Sequence, residues 1–176
     1  MTADRDIRAL LRARGAESVP HPGGTLYEHL GRVADRLARH GASADLRRAG
    51  LAHAVYGTDG FDVSLVALTE RHLVQEAVGP AAEAIVYRYG GCDRTQTWSR
   101  LAATRCVVSR FTGDREVLDD DALRDFVDLT LINELDVLER SADVSAAHRD
   151  FVRSLVDSWA DLASPTVVAD AHGAGT

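Results

Sequence analysis

The stretch TLYEHLGRVADRLARHG, from Thr25 to Gly41, contains the start, the buried face and the stop of one helix. Thr25 and Glu28 make the Thr-x-x-Glu pattern of a capping box, in which each residue satisfies a backbone N–H that the first turn leaves without a partner. Leu26, Leu30, Val33 and Leu37 then recur at helical spacing until Gly41 ends the run. The same grammar recurs along the chain. Ile7, Leu10 and Leu11 mark an amphipathic helix from Asp4 to Arg14, which HPGG breaks. Ser43 caps a helix that runs to about His53. Thr69 to Val78 and GPAAEAIVYRYG, with Pro80 in its first turn, read as two more. Trp98 to Ser109, Asp121 to Arg140 and Ser145 to Leu162 complete the set. FDVSLVAL alternates like a strand but has no evident partner and is taken as an extended connection; FTGDREVLDDD is taken as a polar one. The fold class that follows is all-α, a bundle of seven or eight helices.

A chain of 176 residues suits one domain with a core of its own, here placed at 1–163, with residues 164–176 expected to form a flexible tail. No apolar run approaches the roughly 20 residues of a membrane span, and the start lacks a signal-peptide pattern, which points to the cytoplasm. A formal net charge of −7 with no long basic run argues against general nucleic-acid binding. Both cysteines, Cys92 and Cys106, are expected to be free thiols. Every basic residue apart from histidine is arginine, so chemistry by a lysine amine is excluded.

Seven histidines remain the main chemical resource. His40 sits beside Gly41 as a helix C-terminal cap, and His72, His148 and His172 occupy first turns or the tail, where solvation is expected. His29 and His53 differ because each lies among apolar residues, near the start of one helix and the end of the next. The tight Gly41-Ala42 link makes those helices antiparallel neighbours and puts both imidazoles at one end. Two such imidazoles suit a divalent metal (Mn, Fe or Zn), and they suit equally two hydrogen-bonded core histidines. His21, in the HPGG loop, approaches the same end.

The segment from His21 to Gly90 resembles the HD-domain superfamily. GGTLYEHLGRVADRLARHGASADLRRAGLAHAVYGTDG follows the order of features in the HD domain of bacterial (p)ppGpp hydrolases, and AGLxHxxYGT is similar to a family of small HD-like proteins. The resemblance implies an HD-like helical domain in which His29 and His53 are metal ligands. It also exposes departures. Ala54 stands where the Asp of the His-Asp pair belongs, and Gly57 and Thr58 replace an acidic pair that activates water. Asp59, one residue later, and Tyr56 are the candidates for that catalytic work. His21, Arg71 and Arg94 are the candidates to bind an anionic substrate. The superfamily's late-helix carboxylate falls in FVDLTLINELDVLER, where Asp128 and Asp136 both qualify, and Asn133 and Glu134 also interrupt an apolar helix. The function this implies is metal-dependent, most simply hydrolytic, action on a small anionic molecule. Two alternatives stand beside it: an HD-type non-heme iron oxygenase, and a metal-free binding or regulatory protein that dimerises through an apolar helix face.

Overall fold

The computed structural model describes residues 2–141 and 144–173. It is predominantly helical. Helix α1 (Thr2–Ala13) leads to a small antiparallel hairpin, β1 (Pro20–His21) and β2 (Gly24–Thr25), paired Pro20 to Thr25 and His21 to Gly24. Then come α2 (Leu26–Arg39), α3 (Ala44–Ala52), α4 (Arg71–Val78) and α5 (Pro80–Gly91). The later part contains two four-residue turns of helix, α6 (Arg94–Thr97) and α7 (Leu101–Thr104), and a second hairpin, β3 (Cys106–Val108) with β4 (Arg115–Val117). It closes with α8 (Asp120–Arg140), α9 (Ala146–Trp159) and α10 (Pro165–Gly173).

Local chemistry sets these boundaries. Thr25 Oγ1 accepts from the Glu28 amide at 3.3 Å while Glu28 Oε2 accepts from the Thr25 amide at 2.8 Å, so the capping box is complete. Ser43 Oγ accepts from the Leu46 amide at 3.0 Å and starts α3. Between them Gly41 takes φ 75°, a left-handed turn that reverses the chain and lays α3 back along α2.

Three expectations are corrected. The helix expected from Trp98 to Ser109 breaks at Arg105, the one described non-glycine residue with positive φ (56°), and the following residues leave as β3. The polar connection FTGDREVLDDD supplies β4, because Val107 is buried and its neighbours pair with Arg115 to Val117. The tail is not frayed over its described part. Ser164, just ahead of α10, donates its amide and hydroxyl to Asp128, at 2.8 and 2.6 Å, and α10 buries Val167 and Ala171 against α8 and α9.

Apolar packing divides into two clusters that meet at Ile85. One lies among α1 to α5 and includes Ile7, Leu11, Leu26, Leu30, Val55, Val74 and Val86. The other surrounds α8 and includes Val33, Leu37, Phe126, Leu129, Ile132 and Trp159. From Phe126 to Asp136 every residue of α8 is buried, which makes it the central helix of the bundle. Its Asn133, Glu134 and Asp136 are therefore polar groups that must find partners inside the protein.

Candidate functional site

Helices α2, α3 and α8 bring His29, His53, Asn133 and Asp136 together. Gly50 makes the approach of α2 and α3 possible: a Cβ there would lie 2.5 Å from Leu37 Cδ1 and 3.4 Å from Ala34 Cα. With the helices this close, His29 Nε2 stands 3.3 Å from His53 Nε2 and 3.0 Å from Asn133 Oδ1. Both imidazoles are buried, at 1% exposure each.

The tautomers follow from the partners on the other side of each ring. His53 Nδ1 lies 2.8 Å from the Gly50 carbonyl, which can only accept, so Nδ1 carries the hydrogen. His29 Nδ1 lies 2.7 Å from Asp136 Oδ2. Burial raises the pKa of that carboxyl, but the hydrogen bonds from His29 and Arg32 outweigh it and hold Asp136 well below the usual range. Asp136 is thus an acceptor, and His29 Nδ1 donates. Burial first, and the neighbouring His29 second, push His53 down to about 3, so it is neutral at pH 7. Asn133 Nδ2 donates to Glu134 Oε1 at 3.1 Å, which turns Oδ1 towards the histidines. His29 Nε2 thus lies within 3.3 Å of both His53 Nε2 and Asn133 Oδ1.

That arrangement fits part of the metal centre implied by the resemblance. For four-coordinate Zn with bonds of about 2.0–2.1 Å, adjacent nitrogens lie about 3.3 Å apart. Ligating histidines also characteristically direct their second nitrogen at a carboxylate or backbone carbonyl, as His29 and His53 both do. The rest of the ligand set that the resemblance implies is not assembled. Ala54 is buried beside His53 with no donor atom. Among the described residues no group of three or more His, Cys, Asp or Glu side chains is placed to hold a metal ion, and the third donor here is an amide.

The other candidate residues have different employment. Asp136 is adjacent to the histidines, but both its oxygens are taken by Arg32, at 2.8 and 2.9 Å, and by His29, so it orients a ligand instead of being one. Asp128 points away and holds Ser164, which precedes α10. Asp59 accepts from the Arg94 backbone amide at 2.8 Å and anchors the start of α6. Tyr56 donates to Glu83 at 2.9 Å. Arg71 grips the same Glu83 with two bonds, at 2.7 and 2.8 Å, and covers the Tyr87 ring. Burial alone would raise Glu83, yet the bonds from Arg71, Tyr56 and Gln75 keep it below the ordinary value. Tyr56 and Arg71 therefore belong to a buried network joining α4 to α5. Arg94 binds Glu134 at 3.1 Å and lies over Trp98. His21 does reach the centre, but as a cover: its ring stacks on His29 with centroids 3.9 Å apart and planes at 24°. Rings lying face to face direct their in-plane lone pairs side by side, so His21 does not aim at the point that His29 and His53 share.

Two residues outside the candidate set complete the centre. Asn133 is expected from the sequence only as a polar group inside an apolar helix, with a hydrogen-bonding or ligand role. Nothing in the sequence singles out Arg32. His148 and His40, expected to be a solvated residue and a simple cap, bind Glu134 at 3.2 Å and Asp170 at 2.7 Å.

These features define a class: an all-α bundle whose central helix meets a buried histidine pair at the junction of two antiparallel helices. A family model described as a domain of unknown function, DUF6817, matches residues 10–94, the segment that carries His21, His29 and His53 but not α8. No curated protein and no solved structure matches the chain. Among the described residues no helix is long and apolar enough to cross a membrane.

Proposed function

We propose that this is an HD-like, metal-dependent protein that acts on a small anionic molecule, with hydrolysis as the reaction class. The observation that supports it is the convergence of two Nε2 atoms, 3.3 Å apart, on rings whose Nδ1 atoms are both held by acceptors. His29 Nε2, His53 Nε2 and Asn133 Oδ1 would hold the ion. A divalent cation bound there supplies Lewis acidity and lowers the pKa of water. The chain's own groups do the rest. Asp136 and the Gly50 carbonyl fix the two rings, Glu134 fixes the Asn133 amide, and His21 with Phe61 shields the centre from solvent. Because none of the three donor groups carries a negative charge, an ion held there would favour an anion as its further ligand.

A second reading rests on the 3.0 Å distance from His29 Nε2 to Asn133 Oδ1, which is also an ordinary N–H···O hydrogen bond. In it His29 carries both hydrogens, bridges Asp136 and Asn133, and the protein is a metal-free binding module. Titration of metal-free protein with Mn, Fe and Zn separates the two. The metal-dependent reading expects a rise in melting temperature with one of these ions, since a ligand of the native state alone must stabilise it. It expects that rise, and bound metal by elemental analysis, to vanish in His29→Ala and His53→Ala. No stabilisation by any of the three leaves the metal-free reading.

A further inference from the structure

The Arg32 side chain hydrogen-bonds both to the carboxylate that holds His29 and to the hairpin that covers the centre. Its Nε and Nη2 hold the two oxygens of Asp136 at 2.8 and 2.9 Å, and Asp136 in turn holds His29 Nδ1. The same guanidinium donates to two backbone carbonyls of the hairpin turn, Pro22 at 3.0 Å and Gly23 at 3.4 Å. That turn carries His21, whose ring lies flat on His29 and whose Nδ1 is buried without a hydrogen-bond partner. A hairpin of two-residue strands has too few ladder bonds to stand alone, so its place depends on what pins it. Gly23 is at φ 77°, and a Cβ there would lie 2.9 Å from Arg140 Cβ, which seats the turn against the end of α8.

We propose that Arg32 is a positioning residue that ties closure of the Pro20–Thr25 hairpin to the pose of His29. With the hairpin down, the guanidinium is shared between the turn carbonyls and Asp136, Asp136 faces His29 Nδ1, and His21 covers the ring. With the hairpin lifted, Arg32 loses the carbonyls, and His29 becomes open to solvent and to a ligand. The hairpin is therefore the door to the centre, and Arg32 is its latch. Arginine suits this role because its planar fork makes four directed bonds at once, which an ammonium group cannot.

The part of this proposal that concerns metal rests on the function proposed above; the latch itself does not. The test uses the full chain, metal-free, with two readouts that need no metal: amide hydrogen exchange over residues 20–25, and modification of His21 and His29 by diethyl pyrocarbonate followed by mass spectrometry. Arg32→Gln should speed both by about tenfold or more, and Arg32→Lys should fall between it and the wild type. Zinc titration should then show a loss of affinity in Arg32→Gln of up to about tenfold, smaller than for a lost direct partner of a ligating histidine because Asp136 remains on His29. Gly23→Ala loosens the hairpin from its far side and leaves Arg32 on Asp136, so it should speed exchange and modification while zinc affinity stays near that of the wild type. Unchanged exchange and modification in Arg32→Gln overturn the latch. Faster exchange with unaltered zinc affinity in Arg32→Gln overturns its coupling to His29. If Arg32→Gln does not fold, Arg32→Lys and Gly23→Ala carry the same comparison. If the wild type takes none of Mn, Fe and Zn, the metal reading is lost, and the two metal-free readouts decide whether the latch stands.

Discussion

Asp136 and Asp128 lie eight residues apart on one helix and look interchangeable in sequence, yet they do different work. Asp136 is 5% exposed in its side chain and accepts from His29 and, twice, from Arg32. Removing its charge leaves Arg32 without its ion pair and gives His29 Nδ1 a weaker acceptor. Breaking a buried pair costs about 3–5 kcal/mol. Arg32 is 24% exposed, so the expectation for Asp136→Asn, read by urea denaturation, is nearer to about 2 kcal/mol. Zinc affinity should fall 10- to 100-fold in the same variant. Asp128→Asn should leave zinc affinity unchanged, because its carboxylate binds Ser164 at the start of α10. Equal effects on zinc in the two variants would refute this division of roles. The histidine pair was legible from the sequence because two helices and a two-residue turn dictate where their ends lie. The choice of carboxylate was not, since one residue of helical rotation changes a side chain's neighbours by about 100°.

Helix α8 collects acidic residues on one side, and this gives the element a pH dependence of its own. Asp125 is raised to about 6 by burial first and then by Asp128, with Asp121 and, across on α3, Asp45 adding to it and Arg88 opposing. Unfolded, the same carboxyl titrates near its ordinary 3.8. Below that pH it is neutral in both states and costs nothing. Between about pH 4 and 6 the unfolded chain ionises it first, so the fold loses stability as pH rises, and the full penalty persists above pH 6. Asp125→Asn should therefore raise stability at pH 7 by about 1 kcal/mol after allowance for partial exposure. The gain should disappear at pH 4; thermal melts at the two pH values measure it, and an equal gain at both would contradict the assignment. At this scale α2, α3 and α5 follow their sequence signals closely, since caps, apolar spacing and stops are local. The segment from Trp98 to Val117 does not, because the pairing between Cys106 and Val117 closes through a longer turn, Ser109 to Asp114, in which the Gly113-Asp114 pair does not join the strands directly.

For the molecule as a whole, the C-terminal helix is part of the fold. It buries Val167 and Ala171, and its Asp170 holds Arg36 at 2.7 and 3.0 Å and His40 at 2.7 Å, which ties α10 across to α2. Ending the chain after Ala163 should cost about 2–4 kcal/mol from the apolar surface alone. In a chain of this size that corresponds to a fall of roughly 5–10 °C in Tm. An unchanged melting temperature would mean that α10 contributes nothing to stability. The tail read as frayed because small and polar residues give it little amphipathic signal, and its docking depends on side chains more than a hundred positions earlier. The sequence by itself determined the all-α class, the helices from α1 to α5 and the end of the bundle at which His29 and His53 lie, because caps, periodicity and turn residues act over a few positions. Only the tertiary structure decided that Asn133 faces the imidazoles, that Asp136 orients His29 while Asp128 anchors the start of α10, and that Arg32 joins the hairpin to the centre. Each of those depends on how α8 is rotated against α2 and α3, and packing across the whole core fixes that rotation.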